Sequence, residues 1–170
     1  MPQTATVYFN HGKESGPWGS KIQALAAIAR DHGLGVDSPD YQFTHDPDER
    51  LAHLHGLNPP TARGLILVGS SMGGYVAAMA SERLTPAGLF LMAPALGMPG
   101  YAGNPAIPPG TRIEVVHGWH DGIVPIAKSW DFAADNAAAL HCLDDAHDLR
   151  CQIERITRLF DDFLTHLDTD

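Results

Sequence analysis

The segment from Gly64 to Gly74 constrains the fold of this chain more than any other. Gly64-Leu65-Ile66-Leu67-Val68 is apolar at every position instead of alternating, the pattern of a strand covered by helices on both faces. It runs into Gly69-Ser70-Ser71-Met72-Gly73-Gly74, and the small residues from Met72 to about Leu84 then suit a helix packed closely on that strand. A strand that turns into a helix this sharply needs small residues two positions before and two after the turn. Gly69 and Gly73 meet that demand for Ser71, whereas centring the turn on Ser70 would put Val68 and Met72 there. The chain therefore predicts a serine, Ser71, at the tip of a strand-turn-helix elbow.

Short β-branched and apolar runs alternate with segments of helical period along the rest of the chain, and no repeat is visible. That alternation predicts an α/β fold built on a mostly parallel sheet. The expected strands are Ala5 to Phe9, a short one around Val36, Gly64 to Val68, Leu89 to Met92, Arg112 to Val116 and Ala138 to Leu143. Helices are expected at Ile22 to Ala29, from an Asp46-Pro47-Asp48-Glu49 cap through the Leu51 and Leu54 stripe, at Met72 to Leu84, and near Pro125 to Asn136. The last runs from Leu149 to Leu167, with apolar residues at spacings of three and four. Ala93 to Gly110 is too rich in Pro and Gly for a regular element. At 170 residues and 44% hydrophobic content, this reads as one domain over residues 1–170.

Composition narrows the function classes. Eleven Lys and Arg against 20 Asp and Glu leave a formal charge of −9 with no basic cluster, so neither nucleic acid nor an anionic membrane is an expected partner. Met1 to Thr6 has no charged leader region, and no run approaches the ~20 apolar residues of a membrane span. A cytoplasmic protein is expected. Cys142 and Cys151 have no metal or disulfide spacing; the first reads as a buried strand residue, the second as part of the final helix. Among the ten histidines, His53 and His55 would diverge on a helix and no His-Glu-x-x-His occurs, so no metal site is expected.

A serine hydroxyl needs a base, and the base needs an orienting acid. His117-Gly118-Trp119-His120-Asp121-Gly122 follows the fifth strand and places Asp121 in a loop at the same carboxyl edge as Ser71. Asp144-Asp145-Ala146-His147-Asp148 follows the sixth and places His147 at the next position. Ser71, Asp121 and His147 stand in the chain order of a serine hydrolase built on an elbow. Asp144 and Asp145 read as solvated turn residues, and His117 and His120 as loop structure. A developing oxyanion would be met by the backbone N–H of Met72, at the helix start, and by that of Lys13 in the loop after the first strand. His11 and Gly12 would shape that loop. Lys13 and Glu14 read as a solvated pair at its tip, or as contacts to a polar part of the substrate. Trp18, Met98, Tyr101, Trp119 and Ile123 fall on loops at this edge and are candidates to line the acyl or alcohol site.

Phe9-Asn10-His11-Gly12, Gly69 to Tyr75, His117 to Pro125 and Ala146-His147 together resemble a small, lidless member of the α/β-hydrolase superfamily, similar to the short bacterial esterases of the YqiA type. The resemblance implies a three-layer, doubly wound sheet in the order 2-1-3-4-5-6, a minimal core with no cap domain. It also implies a cofactor-free serine hydrolase, a carboxylesterase or thioesterase that cleaves a small acyl substrate through an acyl-enzyme intermediate. An amidase or peptidase with the same triad, and a non-catalytic binding domain on this scaffold, are the competing readings.

Overall fold

The computed structural model describes residues 5–60 and 64–167; the leader reading of Met1 to Thr4 lies outside the described residues. Six strands, β1 (Thr6–Asn10), β2 (Gly35–Asp37), β3 (Leu65–Ser70), β4 (Gly88–Met92), β5 (Arg112–Gly118) and β6 (Ala139–Leu143), form one sheet. Its order is β2-β1-β3-β4-β5-β6, and every neighbouring pair is parallel. Parallel neighbours require crossovers. These carry α1 (Ser20–Asp31), α2 (Pro47–Gly56), α3 (Met72–Leu84), α4 (Ile126–Asn136) and, after β6, α5 (Ile153–Thr165).

Alternation along the strands divides the core. Val7, Phe9, Ile66, Val68, Phe90 and Met92 pack with Leu25 and Ala29 of α1 and Phe160 and Phe163 of α5. Tyr8, Leu65, Leu67, Leu89, Leu91 and Val115 pack with Leu54 of α2, Val76 and Ala80 of α3 and Phe132 of α4. Three layers result, and β3 and β4 are buried on both faces, as their unbroken apolar runs require.

The differences from expectation are local. Strand β5 continues through His117 and Gly118 because both still pair with β6. Helix α5 starts at Ile153, whereas Leu149 is a buried loop residue with φ +56°. Cys151 is therefore an exposed turn residue before the helix, and Cys142 is only partly buried. At α2, Asp46 accepts from the N–H groups of Asp48 (2.8 Å) and Glu49 (3.2 Å), as its cap position demands. Glu49 does not reach back to Asp46. The Thr44 hydroxyl stands between them, accepting from Asp46 N–H at 3.0 Å and donating to the Glu49 carboxylate.

The tightest packing in the fold lies where α3 begins. A methyl group built on Gly73 would stand 1.9 Å from Asn10 O, and one on Gly69 would stand 2.2 Å from Gly73 O. Gly74 is under the same constraint, with Pro94 Cβ at 2.7 Å. Gly56, at the end of α2, has nothing within 4 Å. In urea denaturation Gly73→Ala is expected to lose about 3 kcal/mol or more through backbone overlap. Gly56→Ala is expected to hold or gain up to about 1 kcal/mol; equal effects of the two would contradict the packing described.

Candidate active site

Strand β3 delivers Ser71 to the carboxyl edge, one residue before α3. Its backbone has φ 55° and ψ −118°, a left-handed conformation that side-chain-bearing residues seldom adopt. The turn is held on both sides: Ser71 N–H donates to Met92 O at 3.0 Å, and Ser71 O accepts from the N–H groups of Gly74, Tyr75 and Ala95. The hydroxyl is thereby presented beyond the end of β3. Met72 is the first helical residue, where its N–H has no intrahelical acceptor and forms part of the positive end of the helix dipole.

The loops after β5 and β6 bring the other two expected residues to that hydroxyl. His147 Nε2 lies 2.9 Å from Ser71 Oγ, and His147 Nδ1 lies 2.7 Å from Asp121 Oδ2. With Asp121 ionised, Nδ1–H is the donor, and Nε2 is free to accept from the serine. The remaining oxygen of Asp121 accepts from the N–H groups of Ile123 and Val124, both at 2.8 Å. Burial alone would raise the Asp121 carboxyl, but the bonds from His147, Val124 and Ile123 outweigh it and hold its pKa below the usual value.

Behind Asp121 stands a residue whose position was not anticipated. His117, on β5 and fully buried, has Nε2 at 2.9 Å from Val124 O and 3.0 Å from Asp121 Oδ2, and Nδ1 at 2.7 Å from Ser129 Oγ. A neutral ring satisfies all of these, with Nε2–H donating and Nδ1 accepting from the Ser129 hydroxyl. Burial lowers its pKa, against the opposing effects of Val124 O and Asp121. The available signal was its place four residues before Asp121 at the end of an apolar strand. Asp145 is likewise no solvated residue: it is buried, and its carboxylate accepts from Ala146 N–H and Gln152 N–H. Asp144 and His120 do form an exposed pair at 2.8 Å.

The loop after β1 closes the other side of Ser71. His11 is buried; its Nε2 accepts from Tyr41 N–H at 2.9 Å, so Nδ1 carries the proton and donates to Gly12 O at 2.8 Å. A methyl group on Gly12 would stand 3.8 Å from Ser71 Cβ, which places Gly12 beside the serine. The side chains of Lys13 and Glu14 are exposed. Trp119 and Ile123 flank Asp121 at 60% and 64% exposure, and Trp18 is also exposed. Tyr101 instead packs edge-on against Tyr75 with ring centroids 5.2 Å apart, and Met98 is half-buried. A concavity of about 420 Å³, lined by Thr85, Thr111, Arg112 and His166, lies at the opposite edge of the sheet, remote from these groups. Among the described residues no cluster of His, Cys, Asp and Glu is arranged to hold a metal, and no helix is long and apolar enough to cross a membrane.

The buried neutral His117 makes a pH prediction. Its folded pKa lies below its unfolded value of about 6.5, so its stabilising share is complete above that pH and is lost as pH falls below it. The stability of the wild type against urea should fall from pH 7 to pH 5. His117→Gln keeps an Nε donor without a titratable ring and should show a smaller loss over that interval; an unchanged loss would contradict the neutral assignment.

A family model described as UPF0227, an uncharacterised protein family, matches residues 6–147. No match is found among curated proteins. Among solved structures, a candidate hydrolase of the alpha/beta superfamily from Xanthomonas campestris pv. campestris is 30% identical, with 96% of this chain and 99% of that one covered and a TM-score of 0.85. An a/b serine hydrolase without lid from Xanthomonas campestris shares the fold at 20% identity, 99% and 86% coverage and a TM-score of 0.71. Est1E from Butyrivibrio proteoclasticus does so at 18% identity, 96% and 88% coverage and a TM-score of 0.77. With the order 2-1-3-4-5-6 and the elbow in place, the chain belongs to the UPF0227 family, within the alpha/beta hydrolase superfamily.

Proposed function

We propose that this protein is a serine hydrolase acting on small acyl esters or thioesters, with Ser71 as nucleophile, His147 as general base and acid, and Asp121 as the orienting acid. One observation carries the reading: a single imidazole bridges Ser71 Oγ at 2.9 Å and Asp121 Oδ2 at 2.7 Å. These distances lie within the reach that proton transfer requires.

In the first half-reaction, Ser71 Oγ attacks the acyl carbon as its proton passes to His147 Nε2. Charge accumulates on the former carbonyl oxygen, where the N–H groups of Lys13 and Met72 are the donors in this reading, assisted by the start of α3. The intermediate collapses by breaking the bond to the leaving oxygen or sulfur, which takes the proton from His147. Water then repeats the sequence on the acyl-enzyme: His147 removes its proton, the acid departs, and Ser71 Oγ recovers a proton. Asp121 stays ionised throughout, favouring the imidazolium that forms twice in each turnover. No cofactor is needed for any step.

The exposed position of Trp119 and Ile123 beside Asp121 favours substrates held along an open rim. The acidic surface disfavours polyanionic substrates held by charge alone. A cytoplasmic site of action remains part of this proposal.

Covalent labelling with a fluorophosphonate, followed by intact mass and peptide mapping, tests the reading without a guess about substrate. One equivalent is expected on Ser71. Ser71→Ala should lose it completely, and His147→Ala should slow it by about 10³-fold or more. A folded wild type that takes up no label would exclude an activated serine at this position. Hydrolysis of short-chain aryl esters and acyl thioesters, compared by kcat/KM, then separates the two substrate classes.

A further inference from the structure

Arg50 is fully buried, and among the described residues no carboxylate forms an ion pair with it. Its guanidinium is spent on backbone carbonyls. Nη1 donates to His11 O and Gly12 O, both at 3.1 Å, Nη2 donates to Lys13 O at 3.2 Å, and Nε donates to Thr44 O at 3.1 Å. The Tyr41 ring lies 5.6 Å from its central carbon, and the Tyr41 hydroxyl donates to Asn10 Oδ1 at 2.7 Å.

Three consecutive carbonyls converging on one group is not strand geometry, in which successive carbonyls point to opposite sides. It needs a cation with a planar fork of donors. Burying such a charge is costly, and an apolar side chain of similar volume would often serve stability as well or better. The clamp therefore points to a requirement of the loop rather than of the core.

We propose that Arg50 is a positioning residue that aims the Lys13 N–H at the oxyanion, by holding the three carbonyls of His11, Gly12 and Lys13 on the far side of the loop. This rests on the serine-hydrolase reading above. In a trans, planar peptide the Gly12 carbonyl and the Lys13 N–H point in opposite directions, and no cis bond occurs among the described residues. Gly12 O accepts from Arg50 Nη1 at 3.1 Å and His11 Nδ1 at 2.8 Å, and at longer range from the hydroxyl (3.3 Å) and N–H (3.5 Å) of Ser15. A flip of this one peptide would replace a donor beside Ser71 with a carbonyl that repels the developing charge. Of the bonds such a flip would break, the one from Arg50 is the charge-assisted one, and its positive charge strengthens the N–H as a donor. Arg50 touches no reacting atom; it acts through the peptide.

The test compares wild type, Arg50→Met and Arg50→Lys on p-nitrophenyl acetate, with folding at the assay temperature verified by circular dichroism. For Arg50→Met, kcat is expected to fall about 10²-fold, with KM within about twofold. Arg50→Lys should fall between, since an ammonium keeps the charge without the fork. A folded Arg50→Met with kcat within about threefold of wild type, or with its loss confined to KM, would overturn the proposal. Should Arg50→Met fail to fold, Arg50→Lys and a wild-type measurement decide. On forming the hemiketal with an aryl trifluoromethyl ketone, ¹⁵N-labelled wild type should show downfield shifts of the Lys13 and Met72 amide protons, and Arg50→Lys should lose most of the Lys13 shift while keeping that of Met72. An unmoved Lys13 amide in a wild type that labels at Ser71 would overturn this inference alone. A wild type that neither labels nor binds the ketone would overturn both this inference and the hydrolase reading.

Discussion

The approach of Gly73 to the end of β1 is the contact on which the site depends. With Asn10 O where a Gly73 methyl group would need to be, α3 can start only if the chain between it and β3 reverses within one residue. That residue is Ser71, and its positive φ costs about 1–3 kcal/mol. The cost is offset locally, because the Ser71 peptide groups bond to Met92, Gly74, Tyr75 and Ala95. The same approach sets the amide end of α3 beside the His11-Gly12 loop. Nucleophile and expected oxyanion donors are thus consequences of one packing event.

Two buried polar assemblies flank this elbow, and each fixes a different degree of freedom. On the β5 side, Asp121 receives His147 Nδ1, two backbone N–H groups and the approach of His117, which Ser129 orients in turn. Only one orientation of the carboxylate satisfies all of them, and the tautomer of His147 follows from it. On the β1 side, His11 and Arg50 donate to the loop's carbonyls, while Tyr41 holds the His11 ring through its N–H and Asn10 Oδ1 through its hydroxyl. Gly118 joins the β5 and β6 loops, since a side chain there would meet Asp145 O at 2.3 Å. Fixed dipoles arranged in this way hold the site's geometry without reorganisation during reaction.

The elements that were legible in the sequence are those with a short-range cause. Apolar runs mark β3 and β4, three- and four-residue spacing marks α1 and α5, and Asp46-Pro47 marks the start of α2. The order 2-1-3-4-5-6 came instead from the resemblance, which four separated motifs carried together. Errors fell where a long-range partner decides. His117 and Gly118 continue β5 because β6 lies alongside, and Asp145 is buried because Gln152 N–H reaches it across the loop. Arg50 shared the face of Leu54 one turn away, yet only the carbonyls of a loop 37 to 39 residues earlier give its charge a reason to be inside.

The sequence by itself determined that a serine would stand between a buried strand and a small-residue helix, since glycine at −2 and +2 is a steric condition written in adjacent residues. It also determined which loops carry an aspartate and a histidine, and that these follow strands consecutive in the chain. Tertiary structure alone decided that His147 meets Ser71 and Asp121 together, because that depends on the register of three strands and the reach of two loops. It alone decided that His117 is neutral and that Arg50 holds the loop, because a side chain's charge state and partners are set by what surrounds it in space. Adjacent residues specify local shape; hydrogen-bond partners far along the chain specify which way each group points.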